Sequence, residues 1–471
     1  MSIYGRRLRR DIFGAATAVA MLMPIGAVAE TLSDALIDAY RNSNLLEQNR
    51  ALLRVADDDV AVAFSSLLPT LDFITDFGAT HPNDRQFNFA GQDVTPDNLN
   101  ATFALQAKID LYAGGRNKLG VEAEKETVLA TREALRSLEQ SVLLQAVTAY
   151  FGVLRAQAFV NLRENNVRVL QQEKQATGDR FEVGEVTRTD VALADSRSAA
   201  AVSALEAARG DYAISRENFR TAVGRYPGDL QTPANLPVTA ASVGEATNVA
   251  VRTHPDIRQA QREVTVAELG MKIAKGAYLP TISATVTSLT GTDDRYDDEE
   301  HRLGITLNQP IYRGGRLAAL ERQAISQRNA SRSNLLQTTL GIEEQVASAW
   351  ANLEVSRAQI RATDLQIDAA QIAFDGTREE ATLGARTTLD VLDAEQELLD
   401  ARASRIDAIA TQYVAAYSLL SAMGLLTVDH LNLGIQTYDP AGYYNAVKHA
   451  PARFSPRGQQ LDKVLRKIGR Q

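Results

Sequence analysis

No cysteine occurs anywhere in the 471 residues. That excludes a disulfide framework, thiolate metal sites and lipid attachment at a mature N-terminal Cys. Packing alone must hold the fold, and a mature chain of roughly 440 residues is long enough for that. Histidine is scarce. His81, His254, His301, His430 and His449 lie far apart, with no HExxH among them, so no metal centre reads from the spacing. G-x-S-x-G, Walker and G-x-G-x-x-G patterns are missing too, and neither catalysis nor a cofactor is expected. Positive charge is in short supply. The formal net charge is −8; residues 1–29, with four Arg and one Asp, carry +3 of it and leave −11 for the rest. A nucleic-acid partner would need a basic footprint. Only the tail has one, in Lys463, Arg466, Lys467 and Arg470, and it reads as a solvated, poorly ordered chain end. Long uncharged runs are few. Ala408 to Val428 has 21 residues without a formal charge, long enough to span a bilayer. It carries Thr411, Gln412, Ser418 and Ser421, and its counterpart 208–228 carries six charges. A buried helix end is the expected reading.

What is present begins with a targeting pattern. Arg6, Arg7, Arg9 and Arg10 precede an apolar stretch from Ile12 to Met23, and Ala27-Val28-Ala29 supplies a small-x-small site before Glu30. That combination reads as a secretory signal peptide over residues 1–29.

The remainder is one unit written twice. Leu111-Tyr112-Ala113-Gly114-Gly115-Arg116 recurs as Ile311-Tyr312-Arg313-Gly314-Gly315-Arg316, a shift of 200 residues, and Gly184–Val191 matches Gly384–Val391 at the same shift. Leu68-Pro69-Thr70 matches Leu279-Pro280-Thr281 at a shift of 211, so the first half holds extra length in one loop. Self-similarity of this kind marks a repeat architecture. The expected organisation is a first repeat over 30–223, a Pro/Gly-rich linker over 224–243, a second repeat over 244–426, and a closing segment with the tail over 427–471.

Each half opens with an expected helix, 31–66 and 244–277. Short alternating segments follow: Leu71–Phe77, Ala101–Ile109, Thr281–Leu289 and Arg302–Asn308. Period-two alternation marks half-buried strands. It is also the pattern of a transmembrane strand with lipid on one face and water on the other; the strands alone leave both readings open. The acidic run Asp293–Glu300 reads as a solvated outer loop. After each Gly-Gly-Arg comes a long heptad-patterned helix, expected over 116–177 and 316–377. Val346, Leu353, Ile360, Ile367 and Phe374 recur every seven residues, interleaved by Ile342, Ala349, Ser356, Thr363 and Ala370. Sustained heptads mean coiled-coil packing. Turns over 178–188 and 376–387 return the chain as a further helix, with Leu392, Leu399, Ile406, Tyr413 and Leu420 again seven apart.

Four strands cannot close a barrel, and lipid does not tolerate an open sheet edge. If these strands span a membrane, several chains must share one barrel, and two, three or four copies would each satisfy closure. A water-soluble periplasmic coiled-coil scaffold or adaptor is the alternative, but it gives no reason for lipid-type alternation at strand length in both halves.

The duplicated order, the Leu-Pro-Thr and Gly-Gly-Arg junctions, and Gly384-Ala385-Arg386-Thr387-Thr388-Leu389-Asp390-Val391-Leu392-Asp393-Ala394 together resemble the TolC family of outer-membrane efflux and secretion ducts. The resemblance covers nearly the whole mature length. It implies an α+β membrane protein: a homotrimer with a 12-stranded β-barrel in outer-membrane lipid, four strands per chain, continued by a long periplasmic helical tunnel. It implies a periplasmic adaptor protein and an inner-membrane pump or ABC transporter as partners, and drugs, toxic compounds or proteins as cargo. It also implies a periplasmic gate. Arg386 matches the arginine that ties neighbouring protomers, Thr189 and Asp190 match its partner, and Asp390 and Asp393 match an aspartate ring. Ala381 stands where the family's type member carries a tyrosine. Thr187-x-x-Asp190 and Thr387-x-x-Asp390 equally fit capping boxes. Asp393 lies past the first turn, where capping does not reach, and reads as a lumen residue. Val183, Gly184, Leu383 and Gly384, at matched turns, are the expected adaptor-docking sites.

Overall fold

A computed structural model describes residues 30–80, 89–91, 98–293 and 296–468. The expected signal peptide, 1–29, lies outside them. The first half runs α1 (Leu32–Asn42), α2 (Asn44–Ser65), β1 (Thr70–Thr80), β2 (Asn98–Ala113), α3 (Arg116–Glu182) and α4 (Arg188–Val223). The second runs α5 (Val243–Thr253), α6 (Pro255–Gly276), β3 (Thr281–Asp293), β4 (Tyr296–Asn308), α7 (Arg316–Thr382) and α8 (Thr388–Ala422). Two short helices follow, α9 (Pro440–Val447) and α10 (Pro456–Ile468).

The opening helix of each half is broken into two, where the sequence reading expected one. At Ser43 the backbone leaves the helical region (ψ 107°) and the hydroxyl accepts the Leu46 N–H to start α2. At His254 the cause is Pro255, whose ring disfavours a helical residue before it; His254 is extended at ψ 126° and caps α6 through Nδ1. The long helices also outrun expectation. α3 and α7 pass through Gly178 and Gly376 and end at Glu182 and Thr382, 67 residues each, or about 100 Å at 1.5 Å per residue. A glycine within a helix weakens it only modestly. The stop comes at Gly184 and Gly384, whose φ values of +82° and +79° a helix cannot use.

The heptad seam of α7 is buried as its spacing requires. Ile342, Val346, Ala349, Leu353, Ser356, Thr363, Ala370 and Phe374 are all covered, and the apolar members pack on α8 residues such as Val391, Leu398, Ala415 and Leu419. The two polar members spend their hydroxyls inside the helix: Ser356 donates to the Leu353 carbonyl and Thr363 to Gln359. The uncharged stretch 408–428 sits in this packing, with Ala408, Tyr413, Ala416, Leu419, Leu420 and Leu426 buried. α3 pairs with α4 in the first half and touches α8 of the second, which welds the two hairpins into one unit.

The main core lies where α1, α3, α4 and α8 converge, around Tyr150, Phe151, Phe219 and Leu420. Phe151 stacks on Tyr413 with centroids 4.5 Å apart. The interrepeat linker is strapped across this core: the Tyr413 hydroxyl donates to the Pro233 carbonyl, and Leu230 and Leu236 pack onto the cluster. Glu30 is nearly buried beneath the strap. Its carboxylate meets Arg225 at 2.9 Å and accepts the Gly228 N–H, while its own N–H donates to Asp229. After α8 the chain wraps back, Val428 donating to Glu139 and the backbone N–H of Tyr438 to the Tyr40 hydroxyl. The tail is not irregular, as its charge had suggested: residues 456–468 form α10.

Candidate functional site

Two regions of this molecule leave large apolar side chains exposed together: the sheet at one end and the hairpin tips at the other. The sheet has order β1-β2-β3-β4, antiparallel throughout. Its register decides what each face carries. Phe73 opposes Leu105, Leu71 opposes Ala107, Ala107 opposes Val286, and Val286 opposes Leu303. Ile109, Ala284 and Ile305 form a parallel row. All but one row of the apolar positions of the alternating segments therefore land on one face; Ile74, Ala104 and Leu289, opposite one another, lie on the other. The other face carries Asp72, Asp76, Thr102, Gln106, Lys108, Thr285 and Thr287, with Gln106 donating to the Thr287 hydroxyl. A hairpin lying on a soluble core would cover the apolar face. Here it is bare: Leu71, Phe73, Phe77, Leu303, Ile305 and Leu307 are all more than 60% exposed. β1 and β4 are unpaired at their outer edges within the chain.

One expectation fails here. The acidic run is not a loop. Pairing of β3 with β4 continues to Asp293 opposite Tyr296, which places Asp297, Asp298, Glu299 and Glu300 inside β4. The hairpin extends past the apolar band, and a strand beyond the hydrocarbon has no need of apolar residues on either face.

α7 carries a second seam. Ala351, Val355, Ala358, Ala362, Leu365, Ala369 and Ile372 alternate at four and three residues on the side away from α8, and all are exposed. This is a coiled-coil surface without its partner.

The two hairpin tips share one backbone design. At the first, the Gly184 N–H donates to Phe181 and the Glu185 N–H to Arg180; at the second, Gly384 donates to Ala381 and Ala385 to Glu380. Those are paired Schellman closures, with glycine in the left-handed region. Two residues later, Thr187 and Thr387 start α4 and α8 through full capping boxes with Asp190 and Asp390. The Thr187 hydroxyl and N–H hold the Asp190 carboxyl below the usual carboxylate range, and those of Thr387 do the same to Asp390. Glycine is required there by φ rather than by crowding, since a Cβ at either position would meet nothing within 4 Å. Val183 and Leu383 stand beside them, exposed by 72% and 80%.

The residues singled out for gating come to the same end of the molecule with partners inside the chain. Arg386 donates to Glu380 at 2.8 Å rather than to Thr189 or Asp190. Thr189 is exposed in the first turn of α4. Asp393 accepts from Arg197 at 3.0 Å, across from α8 to α4. Sequence reasoning missed further ties between the hairpins, among them Glu173 with Arg378 at 3.1 Å, and Arg180 Nη2 donating to the Ala381 carbonyl at 3.3 Å. Ala381 itself is buried against Phe374 and Val391. A main-chain acceptor leaves no residue-type signal, so the Arg180 contact was not legible.

Among the described residues no group of His, Asp and Glu is arranged to hold a metal ion. A groove of about 1130 Å³ between α3, α7 and α8 is lined by small polar side chains including Ser141, Thr148, Ser348, Asn352 and Ser418. Such a wall wets easily.

A family model described as "Outer membrane efflux protein" matches residues 36–225 and 247–425. The chain belongs to that family. It is similar to the outer membrane efflux protein BepC of Brucella suis, 34% identical over 90% of this chain and 91% of the relative. It is also similar to the alkaline protease secretion protein AprF of Pseudomonas aeruginosa, 28% identical over 76% and 77%. The fold matches the CmeC outer membrane channel of Campylobacter jejuni with a TM-score of 0.75, at 16% identity over 90% of each chain. This family member is an outer-membrane exit duct: the sheet is a share of a trimeric barrel in the outer membrane, and the long helices continue it into the periplasm. The bare apolar face is the lipid face, the open edges are where neighbouring copies pair, and the family is one of conduits rather than enzymes.

Proposed function

We propose that this duct is passive and closed at its hairpin tips, and that it is opened by a periplasmic adaptor bringing an inner-membrane pump or ABC transporter to it. The observation that carries the reading is the pair of matched tips, each presenting an exposed apolar knob, Val183 or Leu383, on a rigid Schellman turn. Rigid exposed apolar residues suit recognition by a partner. Cargo is small toxic molecules or secreted protein; BepC is named for efflux and AprF for protease secretion.

Opening requires α7 and α8 to swing away from α3 and α4. Among the contacts that resist that swing within one protomer, three lie nearest the tips: Arg197 with Asp393, Glu173 with Arg378, and Arg180 on the Ala381 carbonyl. The first two join partly exposed groups and contribute at most about 1 kcal/mol each. The last occupies the place where the family's type member has a tyrosine. Arg386 adds a tie to Thr189 or Asp190 of the neighbouring protomer when it leaves Glu380. Asp390 and Asp393, three apart on one helix face, bring six carboxylates to the tunnel mouth of a trimer, and a ring of that kind confers cation selectivity.

Single-channel recording in planar bilayers tests this. Arg180→Ala and Arg386→Ala should each raise conductance. Asp390→Asn with Asp393→Asn, which removes charge while keeping side-chain shape, should lower cation selectivity and block by multivalent cations. Wild-type conductance in both arginine variants and unchanged selectivity in the aspartate pair would leave these residues as helix caps and surface pairs only.

A further inference from the structure

One acid sits on the line where the two hairpins meet. Glu395 lies eleven residues beyond Gly384, and its side chain reaches from α8 to Asn166 of α3. It belongs to the buried stripe of α8, whose neighbouring members are Val391, Leu392, Leu398 and Leu399. A seam position of that kind calls for an apolar residue. Asn166 Nδ2 donates to Oε1 at 2.8 Å, and both residues are more than nine-tenths buried. Oε2 has no hydrogen-bond partner. A cavity of about 120 Å³ adjoins the carboxyl, with Leu162, Val169, Phe374 and Leu398 in its wall. The duplicated sequence supplies a comparison. At the 200-residue shift the counterpart of Glu395 is Asp195 of α4, which is exposed and pairs with Lys174 at 2.8 Å. The same position of the repeat is thus wet and paired in one hairpin, and dry and half-satisfied in the hairpin that has to move.

The charged groups around Glu395 do not neutralise it. On α3, Glu173 opposes its ionisation; on α7, Arg378 favours it, and those two pair with each other at 3.1 Å. On α8, Arg402 in the cavity wall donates to Gln371 at 2.6 Å. On α4, Arg197 pairs with Asp393 and Asp195 with Lys174. A protonated carboxyl tolerates a dry seam, whereas an ionised one without a partner is costly there. Parting α8 from α3 would give the group water. We propose that Glu395 is a proton-operated latch on the duct: protonated, it lets α8 lie closed on α3; ionised, it drives the two apart. The proposal rests on the hairpin swing described above. Its sign follows from the two environments. Burial, the largest influence, raises the pKa to about 7 in the closed seam, against 4.5 for an ordinary glutamate in water. The closed arrangement therefore binds the proton more tightly, and rising pH opens. The open-to-closed ratio climbs between pH 4.5 and 7, by up to about tenfold per pH unit in each protomer, and levels off above 7. An acidified periplasm would seal the duct.

Single-channel recording of the trimer in planar bilayers at pH 5, 6, 7 and 8 measures this. The wild type should open more often as pH rises from 5 to 7 and change little from 7 to 8. Glu395→Gln keeps the shape and the Asn166 bond and cannot ionise. Its opening should match the wild type at pH 5, stay flat with pH, and be roughly tenfold rarer than wild type at pH 7. Asn166→Leu removes the donor that favours the ionised form, so the rise should extend to higher pH; a purely structural role for Asn166 would not move the profile. A pH profile unchanged in Glu395→Gln overturns the proposal, as does a wild type whose opening does not vary from pH 5 to 7. Arg180→Ala and Arg386→Ala are recorded alongside. Raised conductance in those variants, with a pH profile indifferent to residue 395, rejects the latch and keeps the swing. No response in any variant rejects the swing itself and the latch with it.

Discussion

Glu395 is a carboxylic acid in the middle of a helical seam. It is 6% exposed, accepts a hydrogen bond from Asn166 at 2.8 Å through one oxygen, and has no hydrogen-bond partner at the other. Burial pushes its pKa up to about 7, against a smaller opposing effect of the Asn166 bond. A raised carboxylate pKa means that the folded chain holds the proton more tightly than the unfolded one. Its contribution is fully present below the unfolded value near 4.5 and is lost as pH rises through about 7. Above that window the ionised group costs about 3 kcal/mol. Glu395→Gln should therefore raise the thermal midpoint at pH 8 and leave it nearly unchanged at pH 4; equal shifts at both would remove ionisation as the cause. Arg225 is the opposite case. Its guanidinium pairs Glu30 and Asp38 at 2.9 and 2.7 Å, and Arg225→Ala strands a nearly buried carboxylate. We expect a loss of about 3 kcal/mol, read as trimer dissociation in detergent at lower temperature.

At the scale of elements, the hairpin tips separate two demands that the sequence presented together. Gly184 and Gly384 answer to φ, and Val183 and Leu383 answer to exposure. Gly384→Ala should cost about 1 kcal/mol of local stability through the left-handed backbone, with efflux reduced in proportion. Leu383→Asp, with Val183→Asp, should abolish efflux with trimer and insertion intact. Loss of the trimer in the latter pair would return both residues to a structural role. Much of this was legible. Heptads gave α7 and α8, period two gave the strands, and Thr-x-x-Asp gave both caps. The helix ends were not, because Gly178 and Gly376 look like stops and only backbone conformation tells them from Gly184 and Gly384. The break at His254 had a signal in Pro255; the break at Ser43 had no such marker. The lengths of β3 and β4 were obscured because pairing persists where lipid no longer dictates alternation.

For the whole molecule, the apolar sheet face was read correctly as an alternation, but only the register shows that all four strands turn it the same way. The second seam of α7 was hidden among alanines. We expect a neighbouring copy in the trimer to cover it, in which case Leu365→Asp with Ile372→Asp sets charges within that contact. We expect the double variant to run as a monomer in light scattering while its helix content stays near wild type. A persisting trimer would assign the seam to solvent or to the adaptor. By contrast, Val346→Asp, in the internal seam, should lose helix content itself.

The two open edges of the sheet have a consequence for genetics. No single chain can finish its own barrel, so a chain that pairs through β1 but fails through β4 spoils the copies it joins. In a cell making equal amounts of normal and edge-defective chains, random assembly leaves only about one trimer in eight wholly normal. A defect confined to β4 should thus behave as dominant over a good copy of the gene. A chain that never reaches the membrane should behave as recessive.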